Sequence, residues 1–194
     1  DVARRTRSLL QPNLDLLLQR PLFLVAWCEL IPRDGSNAPE KLEAVMRELV
    51  LRCFSRRHAV LNLSTVEEDL SALGALLAVF ADHGFDHNLD AGTLVRALAS
   101  QPVLSKQAEF ARTMDLALAA GFVVRMGEQL WYAVKIPVVE FLIGRSVAED
   151  VSRHPAAPRL LIDRYRRWIW RPELHDALDY TFDILWQGTS EQRS

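Results

Sequence analysis

The sequence is short of cysteine, of glycine in useful places and of net charge, and each shortage narrows what the chain can do. Its two cysteines, Cys28 and Cys53, stand in neither a CxxC nor a Cys/His spacing, so no zinc ribbon or dithiol redox pair is on offer. Both read as small core residues in a reducing compartment. None of the eight glycines falls in GxxxxGK[ST] or GxGxxG, which leaves no backbone cradle for phosphates, and the segment is not expected to hydrolyse nucleotides by itself. GxSxG and HExxH are missing as well, and with them the signatures of a serine hydrolase and a zinc peptidase. A formal net charge of −2 supplies no long-range field to gather nucleic acid or anionic lipid.

Long apolar runs are also missing. A membrane-spanning helix needs about 20 predominantly apolar residues; the run "PLFLVAWCELI" stops at roughly half of that, with Glu29 inside it and "PRDG" behind it. It reads as a buried helix opened by Pro21, whose fixed φ and missing N–H suit a first helical position. At 49% hydrophobic and 25% charged over 194 residues, the chain has the profile of one large globular domain or two small ones, read as cytoplasmic. The opening "DVARRTRSLLQPNLDLLL" has neither a methionine nor a secretory pattern, and the chain is expected to be a piece of a longer one.

What is present is mostly helical periodicity. After "PRDGSNAP", Leu42, Val45, Met46, Leu49, Val50, Cys53 and Phe54 recur at three- and four-residue spacing behind Pro39. "STVEEDLSALGALLAVFADHG" carries a capping-box pattern, an apolar face of Leu70, Leu73, Leu77 and Phe80, and Gly84 as its stop. Asn88 or Asp90 caps a shorter helix carrying Leu94, Val95 and Leu98. A further helix over about 106–120 turns Phe110, Met114, Ala117 and Leu118 inward. The period then changes: "GFVVRMGEQLWYAV" reads as one β-hairpin about Gly127-Glu128, a pair suited to a two-residue type II′ turn. Pro137 opens "PVVEFLIGRSVAEDV", which ends at "HPAAP". Helices over roughly 159–170 and 172–187 follow, the second with Leu174, Leu178, Phe182 and Leu185 on one face. The last pair could begin a helical repeat array, since Trp186 lies at its end.

The predicted fold class is therefore mainly α: a helical segment over 1–60, a winged helix of three helices and one β-hairpin over 61–152, a C-terminal helical segment over 153–188 and a disordered tail over 189–194.

Chemistry has few places to sit. "ADHGFDHNLD" gathers Asp82, His83, Asp86, His87 and Asp90, plausible metal ligands were they on one helix. Gly84 interrupts it, so the preferred reading is a helix end with His83 at its negative pole, then a turn and a cap; no metal site is assigned. His58, His154 and His175 read as surface residues, and no catalytic centre is assigned. Glu140, between Val139 and Phe141, is either a carboxyl with a raised pKa or one that caps or pairs at a domain contact. A DNA-binding winged helix needs a basic recognition helix or wing. Lys106 and Arg112 are balanced by Glu109 and Asp115, and Arg125 by Glu128, which counts against DNA as a partner.

Taken in order, "RPLFLVAWCEL", "EKLEAVMRELVLRCF", the winged-helix pattern, "LAAGFVVRMGEQLWYAVKIPVVEFLIGRSVAED" and "WRPELHDALDYTFDILWQ" resemble the part of NACHT-type STAND NTPases that follows the nucleotide-binding core. The resemblance covers nearly the whole chain through degenerate apolar patterns. It implies a regulatory lid that holds an ADP-bound resting state and rearranges on activation, in bacterial signalling or antiviral defence. ATP or ADP would be bound mainly by an upstream core outside this sequence, with no cofactor expected for the segment alone. Its partners would be that core, a downstream sensor region and further copies in an active oligomer, with no membrane. Pro21 matches the family's proline on the adenine side of the nucleotide, and Glu140 and Phe141 match the "Ey" positions of an interdomain contact. One departure stands out: the family's wing-end histidine has no equivalent, and its position falls on Lys135, either a solvated lysine or a substituted phosphate sensor. A winged-helix transcriptional regulator and a passive helical adaptor are the alternatives.

Overall fold

The helical spacing of Leu42 to Phe54 produces helix α1, Leu42–Arg56. The computed structural model describes residues 42–56, 66–85, 88–99, 107–127, 130–134, 136–153 and 159–191. The helix expected at Pro21, with Cys28, and the tail after 191 lie outside them. The chain divides into two compact units, Asp1–Cys53 and Phe54–Ser194. In the first, the described residues are the start of α1, where Val45, Met46, Leu49 and Val50 are buried and Arg52 meets Glu48 one turn back at 3.2 Å.

The second unit is organised by α2, Val66–His83. Glu67, Glu68 and Asp69 occupy its first turn, where carboxylates suit the positive end of the helix dipole. Leu70, Leu73, Leu77 and Phe80 are buried as predicted, but so are Leu76, Ala78 and Val79. Several neighbours close around α2, so it loses the exposed face that a surface helix keeps. Gly84 follows it with φ of 95°, the left-handed stop expected from the sequence.

Strand β1, Leu89–Asp90, leads into α3, Ala91–Ala99; α4 spans Gln107–Ala120, and β2, Val123–Met126, and β3, Leu130–Ala133, complete the sheet. The sheet order is β1-β3-β2, antiparallel throughout, with Leu89 opposite Trp131 and Val123 opposite Ala133. At the end of α4, Phe122 N–H bonds Ala117 O at 2.9 Å and Gly121 N–H bonds Leu118 O at 3.0 Å, which turns the chain out of the helix and into β2. Phe122 is fully buried and meets Phe54 edge-on at 5.8 Å.

Three local expectations are corrected here. The hairpin has a third partner, β1, too short to show an alternating pattern. Its loop is also longer than two residues, because Met126 pairs with Leu130, leaving 127–129 between them; Gly127, at φ of 67°, begins it. On α3, Leu94 is buried and Val95 is 56% exposed. On α4, Met114 and Ala117 are buried, whereas Phe110 and Leu118 are half-buried.

Helix α5, Pro137–Arg153, lies between α2 and the last helix, α7, His175–Glu191. Between α5 and α7 come α6, Arg159–Trp168, and a 3₁₀ turn, Pro172–Leu174, which begins the segment expected to be one helix. α7 runs past Gly188, where the sequence reading ends the helical segment. Leu174 at the end of the 3₁₀ turn and Leu178 on α7 are buried, but Phe182 is 43% exposed. Both contacts of α5 are unusually close. A Cβ on Gly74 would stand 2.5 Å from Leu142 O, and one on Gly144 would stand 2.6 Å from Ala177 O and 2.8 Å from the Tyr180 Cβ. Among the described residues no helix is long and apolar enough to cross a membrane.

Asp90 caps α3, accepting from Thr93 N–H and Thr93 Oγ1, each at 2.8 Å. The Thr93 backbone and side-chain hydrogen bonds hold its carboxyl below the usual 3.8. An acid depressed in the folded state stabilises fully above its unfolded pKa and loses that contribution as pH falls through the folded value. Asp90→Ala is therefore expected to lower the melting temperature at neutral pH, with the gap to wild type closing below about pH 4. Thermal melts of both proteins across that range check it.

Candidate functional site

Of the four residues singled out by resemblance, Pro21 and Lys135 lie outside the described residues. Glu140 and Phe141 are placed, on the first turns of α5. Pro137 opens that helix, and Val139 and Glu140 N–H both bond Ile136 O, at 2.9 and 3.1 Å. Both side chains are inside: Glu140 is 2% exposed and Phe141 1%. The Phe141 ring meets Tyr180 of α7 at 5.8 Å, nearly perpendicular, an edge-to-face arrangement that suits the ring quadrupoles. Phe141 thus touches the segment read as 153–188 from the segment read as 61–152, inside one compact unit.

One turn further along, Arg145 ties α5 to the start of α2. It donates through Nη2 to Glu67 and through Nε to Glu149 at 2.9 Å. Ser71 Oγ donates to Glu149 at 2.7 Å, and Arg153 reaches the same carboxylate at 3.2 Å. Burial pulls the Arg145 guanidinium down, but the hydrogen bonds and charges of Glu67 and Glu149 more than offset it, leaving it above its ordinary value.

A polar cluster centres on Asp82, at the last turn of α2. Trp168, fully buried, donates its indole N–H to Asp82 Oδ1 at 3.0 Å. Arg164 donates to Oδ2 at 3.3 Å and Arg167 lies 3.7 Å from Oδ1. Arg164 also reaches Asp150 of α5 at 3.7 Å and lies over the Trp168 ring at 5.6 Å. Arg171 closes the set, donating to the Ala81 and Asp82 carbonyls at 3.1 and 3.3 Å, so a cation satisfies the acceptor end of α2. One carboxylate and two helix-end carbonyls thereby clamp α6 and the following turn to α2. Arg167 also borders a cleft of about 460 Å³ with His83, Thr93 and Arg96.

Three members of the metal-like constellation have partners of their own here. Asp82 belongs to the clamp, His83 Nδ1 pairs with Val79 O at 2.9 Å, Asp90 caps α3, and Asp86 and His87 lie outside the described residues. Among the described residues no group of three or more His, Cys, Asp or Glu side chains could hold a metal ion. The exposed His175 pairs with Ile169 O at 2.9 Å. Trp168, Arg164 and Arg171 were not singled out by sequence reasoning. The only available signal was the alternation of arginine and tryptophan in "RYRRWIWR", which marks an amphipathic helix without naming its partner. The geometry is that of a joint between helices, made of charge-assisted hydrogen bonds and one buried indole. No protein-family model, curated protein or solved structure matches the chain.

Proposed function

We propose that the chain is the regulatory lid of a NACHT-type STAND NTPase, a cytoplasmic signalling or defence protein, in which a winged helix and its flanking helices stabilise the ADP-bound resting state. The observation that carries the reading is the order of parts. Helix, strand, helix, helix, strand, strand, with β1 on the outer side of β3, is the order a winged helix takes. It is followed at once by a helix with the "EF" pair of the resemblance buried at its start.

The test is the coding sequence before Asp1. A GxxxxGK[ST] after a predicted strand, in the same frame and within one domain length, is the expected result. A start codon next to Asp1, with no such motif, would sink the reading. In the full-length protein, Pro21→Ala and Lys135→Ala are expected to speed the release of a fluorescent ADP analogue at least about tenfold, a loss of roughly 1.4 kcal/mol of binding. Unchanged release from both would remove them from the nucleotide site. The DNA-binding alternative gains no support from α4: its Arg112 pairs with Asp69 of α2 at 2.8 Å, and the helix carries Glu109 and Asp115 besides.

A further inference from the structure

Helices α6 and α7 lie side by side, joined by the turn at Trp170 to Leu174, and their charges are segregated. α6 carries four arginines against one aspartate, whereas α7 carries Asp176, Asp179 and Asp183 with no lysine or arginine. Arg164 is engaged in the clamp, but Arg159 and Arg166 are exposed on α6, as are Asp176 and Asp179 on α7. Between these charged flanks runs an apolar seam. Tyr165 and Phe182 meet edge-on at 5.9 Å, and Ile162, Tyr165, Phe182 and Trp186 are 46, 37, 43 and 77% exposed. Helical spacing places Ile162, Arg159 and Arg166 on one face of α6, and Asp176, Asp179, Phe182 and Trp186 on one face of α7. Across the pair the surface therefore reads basic, apolar, acidic.

Such a strip is complementary to itself after a half turn: its basic edge meets an acidic edge and seam meets seam, twice over, which is the condition for an isologous contact. We propose that the α6–α7 hairpin is a self-association surface, docking face to face on the same hairpin of a second copy so that α6 of each lies against α7 of the other. A second copy is favoured over an unrelated occupant because one surface supplies both charges in the order needed. Burial, then the neighbouring Asp176 and Asp183, raise the Asp179 carboxyl above the usual range, and His175 offsets this in part; an arginine from the second copy would relieve it. The inference does not rest on the lid reading.

Analytical ultracentrifugation of the 194-residue chain over a wide concentration range is the test, with far-UV circular dichroism to verify folding. Wild type is expected to form a dimer that loosens as salt rises. Arg166→Glu and Asp179→Arg, both at exposed positions, should each weaken it at least about tenfold, because each puts like charges together at two symmetric places. Mixing the two variants should restore association, since in that heterodimer both contacts are again of opposite sign. A chain monomeric at every concentration overturns the proposal. So does an association indifferent to both reversals, or one not recovered on mixing. Phe182→Ser supplies a second reading through the seam, and an unaltered dimer in that variant would also count against it.

Discussion

Leucine at position 144 is expected to leave the 54–194 unit without a cooperative unfolding transition, and alanine there to cost about 1–3 kcal/mol of stability. A Cβ on Gly144 meets Ala177 O at 2.6 Å, the Tyr180 Cβ at 2.8 Å and Thr181 N at 3.0 Å. Each is backbone or the root of a side chain on α7, so no rotamer change relieves the clash, and the two helices must move apart. Separation would stretch the buried Thr181 Oγ1 to Gly144 O hydrogen bond, 3.1 Å long, and loosen Phe141 against Tyr180. Alanine also gains about 1 kcal/mol in helix propensity over glycine, which offsets part of the loss without reversing it. Urea titrations of wild type and Gly144→Ala check the magnitude; equal midpoints would show that separating α5 from α7 costs no more than the propensity gain.

Trp168→Ala is expected to cost about 3–5 kcal/mol, the range for emptying a large buried aromatic site, and to release α6 from α2. The loss has two parts that can be told apart. Trp168→Phe keeps most of the buried area but removes the indole N–H that Asp82 accepts at 3.0 Å and part of the ring, and the lost hydrogen bond alone should cost about 1–2 kcal/mol. Asp82→Asn keeps an acceptor for the indole but removes the charge that Arg164 and Arg167 meet. The double variant should therefore lose less than the two singles added together, since both touch one carboxylate. Strict additivity would show that indole and arginines hold Asp82 independently. Protease cleavage between α5 and α6 should quicken in Trp168→Ala well before global unfolding, as local opening predicts.

Element types were largely legible because they rest on local chemistry. Pro137 starts α5, Gly84 stops α2 and Asp90 caps α3 because the φ of proline, the left-handed freedom of glycine and the short reach of an aspartate to its own backbone act within a few residues. Leu70, Leu73, Leu77 and Phe80 are buried because a 3.6-residue period needs only one helix to be read. Misses occurred where a partner decides. Leu89–Asp90 is a strand only because Trp131 and Leu130 are beside it. Phe182 turns outward because α7 buries its opposite side, with Ala177 and Thr181, against α5.

The candidate site divides in the same way. Burial of Glu140 and Phe141 could be anticipated from their apolar neighbours on a helix that begins at Pro137. The role of Asp82 could not, because its indole partner is 86 residues away and the local run reads only as a helix end followed by a turn and a cap. The sequence alone determined where helices begin, end and hide their apolar stripes, since propensity, capping and periodicity are properties of neighbouring residues. Only the tertiary structure decided that Gly74 and Gly144 are the contact points of three helices, that Asp82 is a clamp, and that basic α6 and acidic α7 share an exposed seam. Those depend on distances between elements, which no local preference encodes.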